Sequence, residues 1–97
     1  KDNISVKIIL GDARKTIREL SNNYFDAVFF DPFSPKTAPD MWTAEFFSDI
    51  SKTMDKNCIL ATYSCARVVR DNIVKAGLIY SDGPKVGRRG PGTIVTI

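Results

Sequence analysis

Asp31 is the residue whose chemical type and position most clearly suggest a functional role. It follows Phe25–Phe30, a run that is apolar except for Asp26, and it begins a loop that holds three of the five prolines. A carboxylate placed there can accept hydrogen bonds from a substrate amine or hold a cation. Asp before proline also starts loops for structural reasons alone. We favour the functional interpretation, because open parallel sheets bind ligands beyond the carboxyl ends of their strands.

Other polar residues also follow predicted strands. Asp12 comes directly after Gly11, where it can either contact a ligand or cap the following helix. Tyr63 and Ser64 follow a second buried-type apolar run, and Ser64 can also cap the helix after it. In a parallel sheet these residues lie at the same edge as Asp31.

The elements that must position these residues appear as apolar runs alternating with amphipathic segments. Strands are predicted at residues 4–10, 25–30, 58–63, 78–80 and 93–97, and helices at 13–21, from residue 43 and from 66 to 76. The last two helices are each expected to carry an apolar stripe on one face: Phe46, Phe47, Ile50 and Met54 on the second, and Ala66, Val69, Ile73 and Ala76 on the third. This alternation predicts a parallel α/β sheet with right-handed crossovers. The last two strands predict an antiparallel pair at one edge. Gly77 is expected to end the third helix, and Trp42 to serve as a hydrophobic anchor before the second.

The basic residues are concentrated in the second half of the chain. Residues 1–50 carry six Lys/Arg and eight Asp/Glu, whereas residues 51–97 carry eight and three. Consecutive arginines in a glycine-rich connection can approach phosphates closely, as in the group Lys85, Arg88 and Arg89. We interpret the basic residues of the third predicted helix as a solvated face: Arg67, Arg70 and Lys75.

Composition argues against several classes of protein. No run approaches the roughly 20 apolar residues that span a bilayer, and no signal peptide is apparent, so we expect a cytoplasmic protein. The 97 residues include no histidine, the commonest general base and transition-metal ligand. Cys58 and Cys65 have neither zinc nor redox spacing, so we expect two buried thiols in a reducing compartment and no bound metal.

Three segments taken together resemble a known family: Gly11-Asp12-Ala13, Phe25-Asp26-Ala27-Val28-Phe29-Phe30-Asp31-Pro32-Phe33-Ser34-Pro35 and Pro39-Asp40-Met41-Trp42-Thr43. They look like the methyltransferases that complete 5-methylaminomethyl-2-thiouridine in tRNA. Residues 61–66 and 87–89 are similar to that family as well. The most specific element is the Pro-Asp-Met-Trp-Thr run at its distance from Asp-x-Phe-x-Pro.

The resemblance implies a Rossmann-like class I fold that uses S-adenosylmethionine, with a seven-stranded sheet in the order 3-2-1-4-5-7-6. Residues 1–97 would form a single domain with the third to seventh strands, mostly parallel, and would lack the half that carries the glycine loop. We therefore expect the chain alone to bind the cofactor weakly and to be inactive. An unpaired sheet edge is exposed to association, so we expect either residues 4–10 to insert beside Phe25–Phe30 or two chains to form a homodimer there.

The resemblance also implies roles for individual residues. Asp31 would be catalytic, beside the methyl group of the cofactor and the aminomethyl group of a wobble uridine in tRNA. The cofactor-binding residues would be Asp12, Ala13, Asp31 and Pro32. The substrate-binding residues would be Phe33, Lys36, Tyr63, Ser64, Arg67, Arg88 and Arg89. The alternative hypothesis is a non-catalytic α/β module that binds RNA or protein and has lost cofactor binding.

Overall fold

The structure is a computed structural model that describes residues 3–84 and 90–97. Its strands are β1 (Phe25–Phe30), β2 (Met54–Thr62), β3 (Ile79–Asp82) and β4 (Thr93–Thr96). Its helices are α1 (Ala13–Thr16), α2 (Ala44–Thr53) and α3 (Arg67–Lys75), with 3₁₀ turns at Ile17–Glu19 and Pro39–Trp42. Within the described ranges, no helix combines the length and the apolar character needed to cross a membrane.

The four strands form one sheet in the order β1-β2-β4-β3. β1 pairs with β2 in parallel, whereas β4 pairs antiparallel with both β2 and β3. This order matches the fourth, fifth, seventh and sixth strands of the sheet that the family resemblance implies. The predicted α/β class and the antiparallel edge pair are therefore confirmed.

Residues 4–10 do not form a strand and do not insert beside β1, so both of these predictions were wrong. Their apolar side chains are exposed, with Val6, Ile8 and Leu10 at 80%, 80% and 89%. A β-branched run becomes a stable strand only where a neighbour pairs with its backbone. In the sheet order that the resemblance implies, residues 4–10 would be the third strand and would pair with the second strand. β1 would be the fourth strand, so it is not the neighbour that residues 4–10 need. The outer edge of β1 is unpaired in the part of the chain that the structure describes.

The first helix is shorter than the pattern predicted. Asp12 Oδ1 accepts a hydrogen bond from the N–H of Arg14 at 3.0 Å and caps α1. α1 ends at Thr16, and the next three residues tighten into 3₁₀ geometry instead of continuing to residue 21. Asn23, with a φ of +52°, then redirects the chain into β1.

α2 and the buried face of the sheet supply much of the hydrophobic core. The predicted apolar stripe of α2 is buried at Phe46, Phe47 and Ile50. Met54, expected to extend that stripe, is instead the first residue of β2 and is fully buried. Trp42 is only 2% exposed, which confirms its interpretation as an anchor before the helix.

α3 packs on the same core and ends where the sequence predicted. It buries Val69 and Ile73. Gly77 has a φ of +83°, and its N–H donates to the carbonyl of Val74 at 2.9 Å. The N–H of Leu78 donates to the carbonyl of Ile73 at 3.1 Å. The two bonds form a Schellman motif, which requires the left-handed backbone that glycine adopts without a steric penalty.

The opposite face of the sheet is uncovered by the described residues. Alternate side chains of a strand point to opposite faces, so Phe30 is buried under the helices while Phe29 is 87% exposed. Ala61 and Ile94 lie beside Phe29 in the sheet register. We call this surface, with the 49% exposed Ile59, the open sheet face.

The two cysteines are free thiols in different environments. Cys58 is buried in β2, as predicted, and burial raises the pKa of its thiol. Cys65 is exposed, so the prediction of two buried thiols was wrong for this residue. It lies after the end of β2, where the chain leaves the core.

Candidate functional site

Asp31 lies at the carboxyl end of β1, where two cavities meet. The first cavity, of about 460 Å³, is lined by Asp31 together with Ala13 and Pro32. The second, of about 290 Å³, is lined by Asp31 together with Tyr63. Asp31 itself is exposed. One carboxylate can therefore contact molecules that approach from either cavity.

Three side chains hold the loop after Asp31, two of them directly and the third through Trp42. The Tyr63 hydroxyl, at the end of β2, donates a hydrogen bond to the carbonyl of Pro32 at 2.9 Å. The indole N–H of Trp42 donates to the carbonyl of Phe33 at 2.9 Å. The side-chain amide of Asn72 on α3 donates to the carbonyl of Trp42 at 2.8 Å. These bonds fix the backbone on which Asp31 is placed.

The aromatic rings reinforce these hydrogen bonds. The Trp42 ring is perpendicular to the Tyr63 ring, with centroids 5.8 Å apart, and nearly perpendicular to the Phe30 ring at 5.0 Å. Such edge-to-face pairs are favourable. Burial, and secondarily the negative charge of Asp31, raise the pKa of Tyr63 above its ordinary value. Tyr63 therefore stays protonated at neutral pH and remains a donor to the loop.

The first cavity brings together three of the four predicted cofactor-binding residues: Ala13, Asp31 and Pro32. Its other walls are mainly apolar, from β1, the 3₁₀ turn after α1 and the buried face of α2. Its volume lies in the usual range for small-molecule sites. A carboxylate at one end and apolar walls suit a ligand that carries a cationic centre and flat or aliphatic groups.

Asp12, the fourth predicted cofactor residue, lines a different and more polar groove with Arg14 and Asp40. Besides its capping bond, its Oδ2 lies 2.8 Å from Nη2 of Arg14, and that guanidinium lies 3.6 Å from Asp40. The hydrogen bonds from Arg14 lower the pKa of Asp12. The sequence left open whether Asp12 caps the helix or contacts a ligand. The structure shows that it caps α1, and its contact with the cofactor stays a prediction.

Comparison with known proteins shows the family to which the chain belongs. A family model described as S-adenosyl-L-methionine-dependent methyltransferase matches residues 1–96. The chain belongs to this methyltransferase family. The residues that carried the resemblance thus identified the family correctly.

Individual relatives match most of this chain. This chain is 38% identical to an uncharacterized protein of Methanocaldococcus jannaschii, over 88% of the chain and 24% of that protein. It is 31% identical to the tRNA 5-methylaminomethyl-2-thiouridine biosynthesis bifunctional protein MnmC of Leptospira interrogans, over 89% of the chain and 13% of that protein. The chain therefore spans a quarter or less of the length of these curated relatives.

A solved structure shows the same fold. The crystal structure of MnmC2 from Aquifex aeolicus matches this chain with a TM-score of 0.87 and 36% sequence identity. The match covers 99% of this chain and 32% of that chain. The fold of this chain is thus one already seen in a related protein.

The predicted substrate-binding residues are placed very differently by the methyltransferase fold. Phe33 is 79% exposed in the loop after Asp31, and Lys36 is exposed further along it. Arg67 is exposed at the start of α3. Ser64 is buried, and its hydroxyl accepts a hydrogen bond from the N–H of Ala66 at 3.2 Å. The role of Ser64 in binding substrate remains a prediction. Arg88 and Arg89 lie outside the described residues, so their roles also remain predictions.

Two residues near the site were not recognised from the sequence. Asn72 was not considered, and Arg70 was assigned to a solvated face although its side chain is only 17% exposed. That assignment of Arg70 was wrong. A signal was available, because Arg70 directly follows Val69 and precedes Ile73 by three residues, so it borders the buried stripe of α3.

Proposed function

We propose that this chain forms the substrate side of an S-adenosylmethionine-dependent methyltransferase that acts on the aminomethyl group of a wobble uridine in tRNA. The observation that carries the proposal is the position of Asp31. Asp31 lines both a cavity that Ala13 and Pro32 also line and a second cavity that Tyr63 also lines. A cofactor in the first cavity and an amine in the second would meet at one carboxylate.

The cofactor supplies a methyl group on a sulfonium, which is already a good electrophile. The remaining chemical requirement is to orient an unprotonated amine in line with the methyl carbon. Asp31 can accept a hydrogen bond from the amine N–H, and this directs the nitrogen lone pair. As the carbon–nitrogen bond formed and the methyl–sulfur bond broke to release a neutral thioether, the carboxylate of Asp31 would stabilise the positive charge developing on nitrogen and then accept the proton that nitrogen loses. The absence of histidine from the sequence is no obstacle to this chemistry.

The surroundings of Asp31 suit a base from a single-stranded loop. Such bases are recognised by stacking on aromatic rings, while basic residues hold the backbone. Phe33 and Phe29 are strongly exposed on either side of Asp31 in the chain. The basic second half of the chain supplies positive charge for phosphates. These features support tRNA as the partner.

The substrate assignment is tested by tRNA binding to the chain itself. A tRNA carrying 5-aminomethyl-2-thiouridine should bind about tenfold more tightly than the same tRNA without the aminomethyl group, because hydrogen bonds to charged groups are worth about 1.5–3 kcal/mol. Fluorescence anisotropy measures both affinities. Asp31→Asn should remove the preference. Asp26→Asn, at the other end of β1 and also exposed, is the matched control and should keep it.

The outcomes separate the two hypotheses for this chain. Equal affinity for both tRNAs, unchanged by Asp31→Asn, would contradict the proposed substrate and favour a non-catalytic RNA-binding module. In a complete methyltransferase domain, Asp31→Asn should also lower the rate of methyl transfer to the aminomethyl tRNA by at least about a hundredfold, a typical contribution of general acid–base catalysis.

We further propose that tight cofactor binding requires additional strands beside β1. The first cavity is bordered by that unpaired edge, and no described residue covers it. Titration calorimetry with S-adenosylmethionine and the chain alone should detect no micromolar binding. Micromolar binding would show that residues 1–97 form a complete cofactor site.

A further inference from the structure

Arg70 is a largely buried cation that the proposed reaction does not use. Its Nη2 lies 2.8 Å from Oδ1 of Asp82, whose side chain is 66% exposed. Its guanidinium also lies over the ring of Tyr80, with 4.8 Å between Cζ and the ring centroid. A charged side chain is rarely buried unless each of its hydrogen-bonding groups finds a partner. The other hydrogen bonds of Arg70 therefore show which residues its side chain holds in place.

Those contacts join three segments that are distant in sequence. Nε of Arg70 donates to Oγ1 of Thr93 at 3.1 Å, and Nη2 donates to the carbonyl of Gly92 at 3.2 Å. The Thr93 hydroxyl donates in turn to the carbonyl of Ser64 at 2.6 Å. α3, the start of β4 and the end of β2 are thereby fixed to one another.

The anchored residues form one wall of the second cavity. Gly92 and Thr93 line it together with Asp31 and Tyr63. The carbonyl of Gly92 accepts a second hydrogen bond, from the N–H of Gly83 at 2.9 Å, and Gly83 lines the same cavity. Movement of Gly92 would therefore change the space in front of the Asp31 carboxylate.

We propose that Arg70 is a positioning residue for the substrate cavity, and this inference rests on the proposed function. The planar guanidinium holds Gly92 and Thr93 at a fixed distance from Ser64, so that a substrate amine in the cavity reaches Asp31. Arg70 acts through these residues and touches no reacting atom. Lysine keeps the charge but cannot reproduce the planar fork.

The structural part of the test is amide hydrogen exchange in residues 1–97. Arg70→Gln and Arg70→Lys should each speed exchange of the Gly83 N–H by about tenfold, because local opening follows the loss of local contacts. Exchange of the Phe47 N–H, which donates to Thr43 within the core, should not change. Lys75→Gln removes a positive charge from an exposed position of the same helix and is the matched control. Unchanged exchange at Gly83 in both Arg70 variants would overturn the proposal, whatever the tRNA measurements give.

The functional part compares tRNAs with and without the aminomethyl group. Arg70→Lys should reduce the roughly tenfold preference to less than about threefold, while affinity for the tRNA without the aminomethyl group stays near that of the wild type because charge is conserved. Lys75→Gln should lower affinity for both tRNAs and keep the preference. A wild type with no preference contradicts the proposed function. A wild type with the preference, retained in Arg70→Lys, contradicts the role of Arg70 alone.

Discussion

At the scale of single residues, the site depends on how each carboxylate is partnered. Asp31 has its backbone fixed by Tyr63 and Trp42 but keeps an exposed carboxylate. Asp12 is engaged by Arg14 through both carboxylate oxygens. A carboxylate with no ion-pair partner among the described residues is available to a substrate amine, whereas an engaged one mainly stabilises local structure. This difference favours Asp31 as the reactive group.

The pairing of Asp12 with Arg14 predicts a pH dependence. The hydrogen bonds from Arg14 lower the pKa of Asp12 in the folded chain. A lowered folded pKa means that the stabilisation is present above the unfolded pKa and is lost as the pH falls through the folded value. NMR titration should therefore find Asp12 titrating below an ordinary aspartate, and Arg14→Gln should raise its pKa. An ordinary pKa for Asp12 in the wild type would contradict the observed bonding.

Thr62 offers a second test at this scale. Its Oγ1 is buried and has no hydrogen-bond partner among the described residues. Since an unsatisfied buried hydroxyl costs about 1–3 kcal/mol, Thr62→Val should raise the free energy of unfolding by about 1 kcal/mol. Thr53 is the matched control, because its buried hydroxyl donates to the carbonyl of Ile50 at 2.7 Å. Thr53→Val should destabilise the chain, and urea unfolding measures both.

At the scale of elements, the loop after β1 depends on a helix that is remote from it in sequence. Asn72 on α3 bonds to the carbonyl of Trp42, and Trp42 bonds to the carbonyl of Phe33. A change on α3 can therefore reach the loop that carries Asp31 without contacting it.

Asn72→Ala tests this connection. It leaves the Trp42 carbonyl without its partner and should lower the free energy of unfolding by about 1–3 kcal/mol. Trp42 is the only tryptophan of the chain, so its fluorescence reports on this position, and its emission should shift to longer wavelength. Asp71→Ala, at the neighbouring exposed position of α3, should leave the emission unchanged. An unshifted spectrum in Asn72→Ala would argue that the loop is held without it.

At the scale of the whole molecule, one face of the sheet is covered by α2 and α3 and the other is open. The open sheet face carries Phe29 and Ile59, and the edge of β1 beside it is unpaired among the described residues. An apolar face next to an unpaired strand edge favours association with another polypeptide. The expected homodimer through this edge remains a prediction.

Size-exclusion chromatography with light scattering on residues 1–97 tests the prediction of a homodimer. The wild type should have twice the mass of one chain, whereas Phe29→Lys should shift it to a monomer by placing a charge on the open sheet face. Val74→Lys is the control, since Val74 is 56% exposed on α3, away from that face. A wild type that stays strictly monomeric at high concentration would exclude the homodimer.

The features that the sequence determined by itself are those set by local patterns. The buried stripes of α2 and α3, the glycine that ends α3 and the position of Asp31 after β1 follow from periodicity and backbone preference. The conformation of residues 4–10, the burial of Arg70 and the bond from Tyr63 to Pro32 were decided only by the tertiary structure. Each of these depends on which segments become neighbours. A strand needs a pairing partner, and a buried charge needs hydrogen-bonding groups that come from distant parts of the chain.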